Sequence, residues 1–473
     1  MLDKVWGWFD RLAGNAPENV APGALPAGPV SIAPGRADAG IEDAEGVLPS
    51  RPGNEPVALA RQIETLSHLQ AAVNAGIVGE ARRSRIIEGF NASQPVGDRY
   101  ELSGRMTELR ALAGAVVDGA NHAIIYGARG VGKTSLARVF GDLVDEAGCD
   151  VFYHSASGDA DFEAVVGPYV RFIEESAGRS QSVRAAALPA VFSARDVADA
   201  LANVRVRRIF LILDEFDRIT NRRTRSELAA LMKLLSDFRI PVQFVMVGIS
   251  NDVDSLIAEH ASLRRHMAAI RVGPIEPAAV RALVSEGGRR AGVDYEPGVA
   301  DIISAISIGS PYHVRTLARE AGLQAFEMGA VTVDEAALSQ GMDAAWRSWS
   351  GMSGSAARRF TRLAAMAPLR ASLIAAALLA GTEYVFDTAR LAEAIGDAGA
   401  SSPADAPAMA VAVVDALAGE LREVDGELAF SDSLAPQYLL LAMVRHDRSE
   451  GGADLARFAS ELEAIAARVG GVS

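Results

Sequence analysis

Nine residues, GARGVGKTS from Gly127 to Ser135, have the types and spacing of a phosphate cradle. They fit G-x-x-x-x-G-K-[ST], with Gly127, Gly132, Lys133 and Thr134 in the fixed places and Ala128, Arg129, Gly130 and Val131 between them. Glycines let successive backbone N–H groups curl around an anion with no Cβ in the way. The lysine reaches the β- and γ-phosphates of a nucleotide, and the threonine hydroxyl ligates Mg²⁺. A helix opening at Lys133–Ser135 would aim its positive end at the same charge. The chain has only three lysines, Lys4, Lys133 and Lys233, and otherwise uses arginine. Lysine at this place is therefore telling, because a compact ammonium fits between phosphate oxygens where a guanidinium fork does not. The plain alternative is a Gly-rich turn between a strand and a helix.

A second chemical stretch is RRIFLILDEFDRI, in which an apolar run, Ile209 to Leu213, ends in Asp214 and Glu215. A buried strand that ends in two acids needs a reason, since an unpaired buried carboxylate is costly. A Mg²⁺ ion supplies one. Asp214 would hold the metal, directly or through water, and Glu215 would polarise the attacking water. The plain alternative is a strand leaving through a polar turn. A third stretch, FVMVGISND, again ends a strand in polar residues, where Asn251 or its neighbour Ser250 would orient the water or touch the γ-phosphate.

These residues need a scaffold that brings strand ends together. Short apolar runs predict strands at 123–126, 151–155, 209–213, 243–247 and 270–272, with helical spacing between them. That alternation predicts a parallel sheet covered on both faces. Residues 276–348 read as all-helical. Residues 353–473 read as a further helical unit with one hairpin, Leu421 to Phe430, turning at Asp425-Gly426. Cys149 reads as a small core residue before the second strand.

The order of cradle, acidic strand, polar strand and helical segment resembles the AAA+ ATPases. Within them it is similar to the initiator, origin-recognition-like branch and to the related STAND signalling ATPases. YELSGRMTELRAL resembles the segment that leads into the core and lies over adenine, with Gly104 and Arg105 at its centre. VGISND resembles the initiator sensor-1 segment. GSPYHVRTLA resembles the sensor-2 helix, with Arg315 placed to reach the γ-phosphate from a lid. The resemblance covers about residues 98–345 and implies an α/β P-loop NTPase core, a helical lid, ATP and Mg²⁺. It also implies that an arginine in HASLRRHMAAI completes a neighbour's site. Arg264 and Arg265 point about 100° apart on a helix, so at most one does so, and Arg264 is the choice here. A solvated basic helix is the alternative. Residues 351–473 resemble a winged helix in outline.

The organisation predicted is therefore an amphipathic patch at 1–13 (Val5, Trp6, Phe9, Leu12), a flexible linker at 14–56 and a helical lead-in at 57–97. An α/β nucleotide-binding domain at 98–275, a helical lid at 276–350 and the winged-helix-like unit at 351–473 follow. The patch is either a docking peptide for a partner or a frayed terminus. Its one lysine and one arginine make it a poor membrane anchor.

Composition narrows what the machine acts on. Hydrophobic content of 49% with 22% charged residues is that of a globular chain. One cysteine excludes an intramolecular disulfide framework and fits a reducing, cytoplasmic setting. The sequence has no apolar run long enough for a transmembrane helix. A net charge of −14 does not favour nucleic acid. From Ser353 onward there are ten arginines, no lysine and sixteen acids, the wrong sign for a phosphate-binding surface. Protein partners are therefore the first reading, with self-assembly into a homo-oligomer. DNA is the alternative, carried by Arg222, Arg223 and Arg225 in NRRTRSE, with RVRR (Arg205 to Arg208) nearby. A non-hydrolysing, nucleotide-gated scaffold is the third reading.

Overall fold

The computed structural model describes residues 4–7, 80–92, 102, 104–158, 160–179, 188–202, 208–248, 261–424, 426–451 and 454–469. Met1–Trp6 and Arg82–Ser473 form one compact unit and Gly7–Ala81 another. The linker, most of the helical lead-in, Ser250, Asn251 and Arg205 to Arg207 lie outside the described residues. Residues 82–89 are helical.

Five strands make the central sheet: β1 (His122–Tyr126), β2 (Asp150–Ser155), β3 (Ile209–Asp214), β4 (Val242–Gly248) and β5 (Met267–Arg271). Their order is β2-β3-β4-β1-β5, and every neighbouring pair is parallel. Strands β3 and β4 are buried along their whole length, which is why they read as unbroken apolar runs. All five run the same way, so the residues just past β1, β3 and β4 meet along one edge of the sheet. The last strand begins at Met267, three residues before the predicted start at Ile270. Its outer residues are half-exposed, so the apolar signal there is weak. Cys149 is buried just ahead of β2, as expected.

Helix α1 (Lys133–Glu146) starts directly from the glycine loop after β1, and its N-cap residue Gly132 has φ 97°. Helix α2 (Arg222–Asp237) follows β3. It is capped by Asn221, whose side chain accepts from the N–H groups of Arg223 and Thr224. Beyond the sheet come α3 (Pro311–Glu327) and α4 (Glu335–Met352). The lid segment is not all helix: Asp294–Tyr295 and Thr332–Val333 pair as a two-residue parallel ladder. Pairings this short carry no periodic signal in sequence.

The C-terminal unit has helices at Gly354–Ala364, Arg370–Glu383, Thr388–Asp397 and Ala406–Ala416. The predicted hairpin follows, pairing Leu421–Val424 with Glu427–Phe430. After it come α5 (Ala435–Ser449) and a last helix, Leu455–Val469. One apolar core runs continuously from the lid into this unit. Trp349 of α4 sits where the two meet. Its ring stacks on Phe360 and on Tyr438 of α5, with centroids 5.6 and 4.5 Å away, and its indole N–H donates to Asp432 at 2.9 Å. No single described helix is long and apolar enough to cross a membrane. In the N-terminal patch, Val5 is fully buried and the Trp6 indole N–H donates to Asp118 at 3.2 Å.

Candidate functional site

The loop from Gly127 to Gly132 is shaped by what a side chain would hit. A Cβ at Gly127 would lie 2.1 Å from the carbonyl oxygen of Val272, so the loop can pass β5 only with glycine there. Gly132 faces open space with φ 97°, leaving room beside the first turn of α1. From behind, Arg105 fixes the loop. Its guanidinium is buried and donates to the carbonyls of Val131, at 2.9 Å, and Gly273. It also pairs with Glu108 at 2.7 Å. Gly104, with φ 70°, lies so close to Ala279 that a Cβ would clash at 2.6 Å. Arg105 thus braces the loop while Gly104 packs against Ala279 and Ile275, and neither lines the cleft in front of the loop.

That cleft encloses about 500 Å³. Arg129, Gly130, Gly132, Lys133, Thr134 and Ser135 from the loop, Asp214 and Glu215 from the end of β3, and Arg315 from α3 all line it. The ammonium of Lys133 donates to the carbonyls of Gly127 and Ala128, at 2.9 and 2.8 Å. The hydroxyl of Thr134 donates to Asp214 Oδ1 at 3.3 Å, and the N–H of Glu215 reaches the same oxygen at 2.8 Å. Glu215 itself sits in the left-handed region, φ 57°, which turns its carboxylate out of the sheet edge toward the cleft. It pairs there with Arg218 at 3.2 Å. Such a backbone is unusual for glutamate and marks a site held in place by its surroundings.

The lid closes the cleft from the other side. Pro311, Tyr312 and Arg315, from the first turns of α3, line it. The N–H of Tyr312 and the hydroxyl of Ser310 both donate to the carbonyl of Gly130, at 3.4 and 3.3 Å. A methyl of Leu434, from the C-terminal unit, lies 3.4 Å from where a Gly130 Cβ would be. The tip of the loop is therefore bonded to the lid and leaves little room between itself and the C-terminal unit.

Several contributors escaped the sequence reading. Asn91 and Ala92 enter from the lead-in, and Arg138, Ser155 and Asp217 add polar groups. Asp217 pairs with Arg129 at 3.4 Å. Tyr153, on β2, donates its hydroxyl to Asp214 Oδ2. Burial, and then the hydrogen bond to Asp214, push that phenol well above its ordinary pKa, so it stays a donor.

Two other groups of arginines behave differently from one another. Arg264 and Arg265 are exposed on the turn Ala261–Arg265 and do not line the cleft of their own chain. Of the three in NRRTRSE, Arg222 and Arg223 are exposed, but Arg225 is turned inward. It donates to the carbonyl of Ile219 at 2.5 Å and its guanidinium lies 4.9 Å over the ring of Phe216. Arg225 staples the turn after β3, whereas Arg222 and Arg223 face solvent.

Residues 117–257 match a family model described as an AAA domain. This segment has the P-loop fold: a parallel sheet whose first strand runs through the glycine loop into α1. Among solved structures, the chain is similar to the Walker-type ATPase of Pyrococcus abyssi, at 16% identity over 73% of this chain and 98% of that one, with TM-score 0.45. It is also similar to Cdc6p from Pyrobaculum aerophilum, at 13% identity over 80% and 97%, TM-score 0.43. A third is the RuvB Holliday junction branch migration motor of Thermotoga maritima, at 15% identity over 76% and 98%, TM-score 0.37. No curated protein matches the chain.

The donor set of the P-loop core fits Mg·ATP. A lysine, a hydroxyl and a carboxylate converge where the glycine loop leaves room, and the cleft has the volume of a small-ligand site. Lys133 and the loop N–H groups would hold phosphates, and Thr134 with Asp214 would hold the metal, which would neutralise charge developing on the transferred phosphoryl group.

Proposed function

We propose that the chain is an ATP-hydrolysing AAA+ switch that works on protein partners through nucleotide-dependent movement of its lid and C-terminal unit. One observation carries this reading: Lys133, Thr134, Asp214, Glu215 and the lid residue Arg315 line one cleft. Lys133 leaves its loop carbonyls to hold the phosphates. Asp214 and Thr134 present oxygen toward the metal. Glu215 is half-exposed at the cleft wall, with its carboxylate free to accept a proton from an attacking water once Arg218 swings aside. Arg315 contributes positive charge from the lid, so that lid position follows the state of the nucleotide. Asn251 keeps its proposed role beside the γ-phosphate.

The lid reading extends to the C-terminal unit, and the stacking of Trp349 and the shared core support it. The helices and hairpin of residues 351–473 are read as a winged-helix-like interaction module. Arg264, exposed on its turn, is the residue proposed to complete a neighbour's cleft in a homo-oligomer. The reading places the protein in the cytoplasm.

Turnover of purified wild type and Glu215→Gln, with and without duplex DNA and with solution mass recorded in parallel, tests this. Turnover that depends on Glu215 and on protein concentration, but not on DNA, supports it. Stimulation by DNA would instead favour an initiator- or transposition-type ATPase, the reading for which exposed Arg222 and Arg223 speak. ATP binding without turnover in wild type would leave a nucleotide-gated scaffold.

A further inference from the structure

We propose that Tyr153 is a positioning residue that holds one oxygen of Asp214 away from the metal and so makes the site select Mg²⁺ over the larger Ca²⁺. The inference rests on the Mg·ATP reading of the cleft and deepens it.

Asp214 is buried, and both of its oxygens are spoken for in different ways. Oδ1 faces Thr134, whose hydroxyl is 3.3 Å away, and it also accepts from the N–H of Glu215. Oδ2 faces the other way and accepts from the Tyr153 hydroxyl. The phenol has little freedom. Its strand is paired with β3 so that Tyr153 lies beside Ile212 and Ser155 beside Asp214. Arg138, from α1, lies over its ring at 4.9 Å. The tyrosine therefore ties the carboxylate to the neighbouring strand through Oδ2, and Oδ1 is the oxygen set beside the Thr134 hydroxyl.

One oxygen suits one cation better than another. Mg²⁺ demands a tight octahedron, keeps several waters and takes one or two carboxylates. Ca²⁺ takes six to eight oxygens and commonly grips a carboxylate through both. A phenol donor on Oδ2 leaves the second oxygen unavailable for that grip. The ordinary alternative is that the hydroxyl only satisfies a buried acid. The two roles differ in what Tyr153→Phe does: the alternative changes stability alone, and metal selection changes the ranking of cations.

The test is equilibrium titration of wild type and Tyr153→Phe with a fluorescent ATP analogue in EDTA, in Mg²⁺ and in Ca²⁺, with melting temperatures measured alongside. Wild type should bind more tightly with Mg²⁺ than with Ca²⁺. In Tyr153→Phe the affinity in EDTA should stay within about twofold, and the preference for Mg²⁺ should fall by about tenfold, as expected when a group behind a metal ligand is lost. Arg138→Met, which frees the ring, should shift the preference the same way by less. A Tyr153→Phe protein that melts lower yet keeps the wild-type preference overturns the proposal, as does a wild type that does not distinguish the two cations. Wild type that binds no analogue under any condition, or Lys133→Ala that binds like wild type, removes the nucleotide site itself and this inference with it.

Discussion

The hydroxyl of Ser310 donates to the carbonyl of Gly130 at 3.3 Å, joining residues 180 apart in the chain. The lid therefore reads the phosphate loop through a main-chain group. That group must be where the loop puts it. Ser310→Ala removes a neutral hydrogen bond of about 1 kcal/mol. ATP affinity should weaken by about twofold to fivefold, measured by fluorescence titration, with little change in melting temperature. Gly130→Ala should do more, because its φ is 81° and the new methyl would meet Ser310 Oγ at 3.1 Å. Wild-type affinity in both variants would disconnect lid from loop.

Lys133 and Glu215 should fail in different ways. Lys133→Ala should abolish measurable ATP binding, and Lys133→Arg should not restore it, since a planar fork cannot take the place of a point charge. Glu215→Gln should bind ATP like wild type while turnover drops by about 10²-fold or more. Equal loss of binding in both variants would mean that Glu215 holds the nucleotide and does not act on water.

The arginines of NRRTRSE divide by structure, and so should their phenotypes. Arg225→Ser loses the bond to Ile219 and the contact over Phe216, and should cost about 1–2 kcal/mol of stability. Arg222→Ser with Arg223→Ser should leave thermal unfolding unchanged. If the double variant also leaves duplex DNA binding unchanged in a filter or anisotropy assay, the DNA reading loses its support.

Acid should weaken the fold through two buried histidines. His122 sits at the start of β1, where Nδ1 accepts from the N–H of Phe244 at 2.9 Å and Nε2 lies 2.8 Å from the carbonyl of Met232. Burial lowers its pKa from 6.5 to about 4, and that of His313 to about 3. The unfolded chain takes up these protons first. Stability is therefore complete above pH 6.5 and is lost as pH falls toward 4, by about 3 kcal/mol for His122. Denaturant melts at pH 7 and 4.5 should show the loss, and His122→Gln should flatten it.

A trans role for Arg264 has a mixing test. Arg264→Ala and Glu215→Gln should each be poor ATPases alone. Mixed, they should recover part of the turnover, because one contributes Glu215 and the other Arg264 to a shared site. No recovery at any ratio, with assembly confirmed by light scattering, would remove Arg264 from the mechanism.

How far the sequence alone reaches depends on whether the signal is local. The glycine loop and the paired acids after Leu213 are local, because backbone curl and strand burial constrain neighbouring residues. The parallel sheet was legible for the same reason. Tyr153 was not, since its meaning comes from the register that sets β2 beside β3. Arg138 looks like any polar position on a helix. Arg225 cannot be told from Arg222 and Arg223 until the turn after β3 is folded. The start of β5 was misplaced because only its last residues carry a clear apolar run. Asn251 lies outside the described residues, so the polar exit from β4 stands as an expectation.

Glu215 holds a backbone shape in which glycine would be at ease. Selection for a durable fold alone would push this position toward glycine or asparagine, and on the proposed reading the work of the carboxylate on water opposes that drift. In descendants that keep the glycine loop but abandon turnover, this codon should be among the first to relax. On the proposed reading, the residue found there records whether a lineage still turns nucleotide over or merely holds it.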